Sequence, residues 1–278
     1  MMYLDLDGQD KILIFLKEIN MEKHNFKKKY GQNFLNSDEI LNSILKLVNV
    51  KSDEEIVEVG PGAGALTKKL LTKNVHVTCF EIDESLKKLL DKIDNKNLNV
   101  IYTDFLEIKL CDYFKNSDKL YFIANIPYYI TTPIITKFID EKFIPKCMIL
   151  MVQNEVALRL SSKPHSSEYG AITVILNYFF DIDYKFLVER NNFYPVPNVD
   201  SAIIELSKKD KILDLKNYDT FLKIVYDAFK HKRKNLRNNL KNYDLVNIEI
   251  ILNKYGMNLQ NRAEDISYEI FVEIANIL

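Results

Sequence analysis

The 278-residue sequence has no surplus of charge of either sign. Its 38 Lys and Arg stand against 39 Asp and Glu, for a net charge of −1 and a pI near 6.5. That balance excludes a global attraction to nucleic acid or membrane, so any polyanion must be met by local patches. Cysteine is scarce: Cys79, Cys111 and Cys147 lie in apolar surroundings without paired spacing. They predict buried thiols in a reducing compartment rather than disulfides or metal ligands. The four histidines are scattered and form no ligand pair, so no metal is expected. No apolar run approaches the length of a bilayer span. A basic segment leading to an apolar stretch and a small-residue cleavage site is also missing, which argues against secretion. A cytoplasmic protein without membrane contact is expected. Glycine and proline number seven each, a scarcity that reflects codon bias as much as structure.

What is present fits a soluble globular chain of one large domain or two ordinary ones, with 47% apolar and 28% charged residues. Residues 1–20 read as an added piece. Ile12, Phe15, Leu16 and Ile19 fall on one helical face, and Met21 is an alternative start. Lys27-Lys28-Lys29 then runs into Tyr30-Gly31-Gln32-Asn33-Phe34-Leu35, and an apolar stripe through Leu41, Ile44 and Val48 predicts a helix.

Glu55-Ile56-Val57-Glu58-Val59 reads as a strand entering the turn Gly60-Pro61-Gly62-Ala63-Gly64, with a helix following. Glycines there let backbone approach a ligand that side chains would exclude. A second strand, 75–80, ends at Glu81, about 20 residues beyond the first glycine and placed to accept bonds from ribose hydroxyls. A third, 98–103, ends at Asp104, which could bond an adenine amine or merely cap a turn. This geometry alone fits nicotinamide, flavin or S-adenosylmethionine. The Gly-x-Gly-x-Gly spacing after an acidic residue favours a methyltransferase over the Gly-x-Gly-x-x-Gly of dinucleotide folds.

The apolar run Leu120-Tyr121-Phe122-Ile123-Ala124 reads as a buried strand delivering Asn125-Ile126-Pro127-Tyr128 to the carboxyl edge of a sheet, where open α/β folds bind ligands. Alternation continues through strand 147–152, helix 154–160, a polar loop at 161–168, helix 171–180 and strands near 182–188 and 201–206. It predicts one doubly wound, mostly parallel sheet. Between the last strands, Phe193-Tyr194-Pro195-Val196-Pro197 is a proline-stiffened loop; Phe193 either plugs the core or stacks on a base. Beyond 207 the pattern turns helical. Residues 221–241 carry Lys230, Lys232, Arg233, Lys234 and Arg237 outside an apolar face, reading as a helix that aims cations at phosphates.

Taken in order, these motifs resemble the small-subunit ribosomal RNA adenine dimethyltransferase (KsgA) family, over about residues 26–278. The landmarks are Gly31-Gln32-Asn33-Phe34-Leu35, Glu58 to Gly64, Asn125 to Tyr128, Gln153-Asn154-Glu155-Val156, Tyr169-Gly170, Phe193 to Ser201, Arg233 to Leu240 and Arg262-Ala263-Glu264. The resemblance implies a Rossmann-like doubly wound, mostly parallel seven-stranded sheet with a small C-terminal helical domain. Its domains would be an extension at 1–20, a methyltransferase domain at 21–207 and a helical RNA-binding domain at 208–278.

By the same resemblance, Gln32, Asn33, Leu35, Gly60, Gly62, Gly64, Glu81, Ile82, Asp104, Phe105 and Asn125 would hold S-adenosylmethionine. Lys27, Lys28, Lys29, Lys230, Lys232, Arg233, Lys234 and Arg237 would hold RNA. The family dimethylates two adjacent adenosines in the 3′-terminal hairpin loop of 16S rRNA in small-subunit precursors, and a monomer is expected. Asn125 and the Ile126 carbonyl would accept bonds from the adenine amine, Pro127 would set the turn, and Tyr128 and Phe193 would hold the base. Two features depart from the pattern: the acidic pI, and residues 1–20. A large-subunit rRNA methyltransferase, an assembly factor with secondary catalysis and a nicotinamide oxidoreductase are the rival readings.

Overall fold

The computed structural model describes residues 33–125 and 130–278. The expected amphipathic segment, Lys27, Lys28, Lys29, Gln32, Ile126, Pro127 and Tyr128 lie outside the described residues. The chain divides into two compact units. One runs through Val152 and includes Leu187–Ser201; the other comprises Gln153–Phe186 and Ala202–Leu278.

The first unit begins with a two-residue strand, β1 (Phe34–Leu35). Helix α1 (Asp38–Leu47) follows, its N-terminus capped by Ser37, whose hydroxyl accepts the Ile40 N–H. Strand β2 (Glu55–Val59) leads to α2 (Ala65–Leu71), β3 (His76–Glu81) to α3 (Lys87–Leu90), and β4 (Leu98–Tyr102) to α4 (Leu110–Tyr113). Strand β5 (Leu120–Asn125), helix α5 (Thr131–Asp140) and strand β6 (Cys147–Gln153) continue the alternation. The pairs β2–β3, β2–β5, β3–β4 and β5–β6 are all parallel. The apolar runs of β2, β3, β5 and β6 are buried, as covered parallel strands require, while the edge strand β4 is half-exposed. A late strand, β8 (Phe193–Tyr194), returns to pair antiparallel with β1.

The second unit holds α6 (Asn154–Leu160), α7 (Ala171–Phe179), β7 (Phe180–Val188) and β9 (Ser201–Lys208). Helices α8 (Tyr218–Phe229), α9 (Leu236–Asn239), α10 (Leu245–Lys254) and α11 (Tyr268–Ile277) complete it. Helix α11 packs on α7, α8 and α10. Phe221, Ile224, Val225, Phe271 and Ile274 form its buried centre. Packing thus groups α6 and α7, which precede the composition change near 207, with the later helices.

Among the described residues the main sheet has seven strands in the order β4-β3-β2-β5-β6-β9-β7. The order in which successive strands are added reverses between the parallel neighbours β2 and β5, the crevice where such folds take ligands. Among the described residues no helix is long and apolar enough to cross a membrane.

Two expectations are corrected. Cys79 and Cys147 are buried, but Cys111 is exposed on the single turn of α4, where an apolar neighbourhood in sequence does not become one in space. The basic stretch 221–241 is not one helix. Helix α8 ends at Phe229, and Lys230 to Lys234 form an exposed turn before α9. Neighbouring cations would repel along a continuous helix, and asparagines stabilise the break. Asn235 caps α9 by accepting the Asn238 N–H at 3.1 Å. The Asn239 amide donates to the carbonyls of Ala228 at 2.6 Å and His231 at 3.2 Å, satisfying groups the helix end leaves bare.

Candidate functional site

Four parallel neighbours, β4, β3, β2 and β5, deliver their carboxyl ends to one edge of the first unit. The turn after β2 takes its shape from three glycines in the left-handed region, Gly60, Gly62 and Gly64, at φ of 73°, 57° and 80°. Gly60 donates its N–H to the Phe80 carbonyl at 3.0 Å, tying the turn to β3. A Cβ on Gly62 would lie 3.0 Å from the Phe34 ring. Only glycine therefore lets β1 lie this close over the turn.

Glu81, the last residue of β3, is 3% exposed. One carboxylate oxygen accepts the Gly62 N–H at 3.1 Å and the other accepts the Asp83 N–H at 2.9 Å. Burial raises its pKa, partly offset by these bonds. The carboxylate and the glycine turn expected to share one ligand are thus in direct contact. Ile82 next to it turns outward, 45% exposed, leaving an apolar surface at the strand tip.

Asp104 follows β4 and accepts the Leu106 N–H at 2.8 Å, forming the capped turn that its residue type allows. The Phe105 ring is buried, edge-on to Phe80 at 5.2 Å and near Phe122 at 5.5 Å. It stiffens the floor beneath the site; its ring does not line an open cleft. Asn125 ends β5. Val59 and Ala124 are the last pair of the β2–β5 ladder, and Gly60 and Asn125 are the residues that follow them at the same edge.

The β1–β8 pair covers this edge. Phe34 is opposite Tyr194 and Leu35 opposite Phe193. Alternation along β8 turns Phe193 inward, 3% exposed, and Tyr194 outward, 38% exposed. Asn33 precedes β1. Two residues escaped the sequence reading as individuals. Tyr194 is one, and period-two alternation next to Phe193 was its signal. Glu58 is the other. It is 2% exposed, and one carboxylate oxygen accepts the Thr67 hydroxyl at 2.7 Å and the Cys79 thiol at 3.5 Å. Burial pushes its pKa up to about 7.

In the second unit, the basic turn is exposed at Lys230, Lys232, Arg233, Lys234 and Arg237. The Lys232 ammonium donates to the Ser167 carbonyl at 2.6 Å, and Arg237 lies 3.8 Å from Glu249. Loop 258–262 supports the turn, accepting the Leu236 N–H at the Asn261 carbonyl and the Arg237 N–H at the Leu259 carbonyl.

Comparison with known proteins bears on what this geometry serves. The family described as Ribosomal RNA adenine dimethylase matches residues 23–278. The chain is 42% identical over 258 residues to the Ribosomal RNA small subunit methyltransferase A of Fusobacterium nucleatum, covering 90% of this chain and 97% of that protein. The chain belongs to the ribosomal RNA adenine dimethylase family. The namesake from Bacillus mycoides is 36% identical, covering 91% of each chain. Among solved structures, a dimethyladenosine transferase from Plasmodium falciparum superposes with a TM-score of 0.71 at 26% identity, covering 87% of this chain and 95% of that one. The 23S rRNA methyltransferase ErmE gives 0.69 at 25%, covering 87% and 98%.

As a family member the chain is an S-adenosylmethionine-dependent rRNA adenine dimethyltransferase. Its site fits that cofactor. The glycine turn offers a floor that a Cβ would fill, Glu81 offers a buried carboxylate for hydroxyls, and Ile82 offers an apolar face.

Proposed function

We propose that this dimethylase methylates two adjacent adenosines in the 3′-terminal hairpin loop of 16S rRNA, acting as a monomer on small-subunit precursors in the cytoplasm. The observation that carries the reading is the register of β2 against β5, whose last pair is Val59 with Ala124, so that the glycine turn and Asn125 both follow directly from it. Acceptor and cofactor machinery then share one edge.

S-adenosylmethionine, when bound, supplies an activated methyl on its sulfonium. Gly60, Gly62 and Gly64 would admit it by backbone approach, with Asn33, Leu35 and Gln32 at its cover. Glu81 would accept the ribose hydroxyls, Ile82 would cover the adenine face, and Asp104 with the Phe105 backbone would meet the adenine edge. The exocyclic amine of the target adenosine is a poor nucleophile, because its lone pair is delocalised into the ring. The Asn125 side-chain oxygen and the Ile126 carbonyl would accept its N–H bonds and favour a pyramidal nitrogen. Pro127 would preorganise those acceptors, so that little reorganisation is needed during transfer. Tyr128 and Phe193 would hold the base, and the remaining demand is orientation. After one transfer one N–H remains, so the second requires space rather than new chemistry. The turn at Lys230, Lys232, Arg233, Lys234 and Arg237, with Lys27, Lys28 and Lys29, would meet phosphates of a helical RNA-binding segment's target. In this scheme residues 21–207 act as the methyltransferase domain, 208–278 as the RNA-binding domain and 1–20 as an extension.

The test is transfer of labelled methyl groups to purified, undermethylated small subunits, followed by primer-extension mapping. Two adjacent stops in the 3′-terminal hairpin are expected. Stops in large-subunit rRNA, the substrate in ErmE's name, would overturn the assignment.

A further inference from the structure

We propose that Tyr194 is a positioning residue that stacks on the nucleobase flanking the reacting adenosine. The inference rests on the proposed rRNA substrate and adds a contact beyond the site residues already assigned. Tyr194 and Phe193 share a two-residue strand, and alternation gives them opposite fates: Phe193 is 3% exposed and Tyr194 is 38% exposed. The outward ring is also well placed. Tyr194 pairs directly with Phe34, whose ring sits 3.0 Å from where a Gly62 Cβ would be. It therefore stands one strand spacing, about 5 Å, from the residue that covers the cofactor turn.

The backbone carrying this ring is held from both sides. Asn36 donates its N–H to the Asn192 carbonyl at 2.9 Å. The Arg190 N–H donates to the Asp200 carboxylate at 2.9 Å, and the Arg190 guanidinium donates to the Asn198 carbonyl at 3.2 Å, closing the loop on itself. Pro195 and Pro197 restrict it further. A ring so placed loses little freedom on binding. Val196 at 59% and Val199 at 43% exposure extend the same loop as an apolar platform, more than a loop facing only water requires.

The substrate supplies the complement. Taking one adenosine out of a stack strips its neighbour of a stacking face, and an aromatic ring at the mouth of the site can replace it. Stacking on an exposed aromatic is tolerant of base identity, which suits an enzyme that must serve two adjacent positions in turn.

The experiment measures steady-state methyl transfer to undermethylated small subunits by the full-length wild type, Tyr194→Ala and Tyr194→Phe, with S-adenosylmethionine affinity by calorimetry. Tyr194→Ala should raise KM for subunits about tenfold, as loss of one stacking contact does. Its kcat and cofactor Kd should stay within twofold, and Tyr194→Phe should match wild type. An unchanged KM in Tyr194→Ala overturns the proposal, as does an equal loss in Tyr194→Phe, which would assign the effect to the hydroxyl. A parallel fall in kcat would put the ring on the reacting base, and a parallel rise in cofactor Kd would reveal a structural role through Phe34; either overturns it. Failure of Tyr194 alone leaves wild-type transfer intact. Absence of wild-type transfer would overturn the substrate reading and this inference together.

Discussion

Replacing Glu58 by glutamine should stabilise the cofactor-free protein above pH 7 and help progressively less as the pH falls. Glu58 lies one residue before the end of β2, where only the Thr67 hydroxyl and Cys79 thiol donate to it among the described residues, and the Glu81 carboxylate opposes its charge. Its folded pKa is about 7 against an ordinary 4.5. The sign follows from proton counting. Between those values the native state keeps a proton that the unfolded chain has released, so stability falls as pH rises through the window and the loss is complete above the folded value. At 1.36 kcal/mol per pH unit the ceiling is about 3 kcal/mol. Glutamine keeps the acceptor for Thr67 and carries no charge.

Other groups respond in both directions. Burial raises Glu81 too, whereas bonds to Lys137 and the Leu110 N–H lower Glu141, and the Arg262 N–H with Asn261 and His165 lowers Asp265. The informative quantity is therefore the stability of Glu58→Gln minus that of wild type, which should grow by roughly 2–3 kcal/mol from pH 5 to pH 8. The chain contains no tryptophan, so urea unfolding is best followed by far-ultraviolet circular dichroism. A difference that is the same at both pH values, within about 0.5 kcal/mol, would refute the reasoning and mean that Glu58 is ionised throughout.

Three further outcomes are expected. Asn125→Ala should lower single-turnover methyl transfer by about 10²–10³-fold, the loss typical of one preorganised acceptor or donor, while calorimetric cofactor affinity changes little; near-normal turnover would sink the role given to Asn125. Gly62→Ala must hold φ at 57° and move the Phe34 ring from 3.0 Å; a strain of about 1–2 kcal/mol should appear as roughly tenfold weaker S-adenosylmethionine binding. Asn239→Ala removes the donor to the Ala228 and His231 carbonyls, so calorimetric melting should show a loss of about 1–3 kcal/mol. With the basic turn loosened, binding to small subunits should also become less salt-dependent.

Much of the first unit was legible along the chain. The β2 strand announces itself by Ile56, Val57 and Val59 among two glutamates, entering Gly60-Pro61-Gly62-Ala63-Gly64, and Glu81 by its distance from the first glycine. Local signals of this kind survive folding because the strand, the turn and the helix are neighbours in sequence. The basic turn was misread as helix because apolar spacing at Leu222, Val225, Phe229, Leu236 and Leu240 continues across it. The deciding bonds come from Asn235 and Asn239, whose amides take backbone partners that no periodicity displays. Cys111 was misplaced for a related reason: a single helical turn turns it outward despite apolar neighbours.

By itself, then, the sequence determined the order of the main-sheet strands, the glycine turn, and the family, because each depends on residues close together or on motifs in a set order. Tertiary structure alone decided three matters. The pairing of Phe34–Leu35 with Phe193–Tyr194 joins two-residue segments some 160 positions apart, too short for any pattern to register. That pairing set which of two adjacent aromatic rings faces outward. The environment of Glu58, whose donors come from α2 and β3, set its proton affinity. Register and burial are properties of neighbours brought together by folding, and they decide which side chains remain available for chemistry.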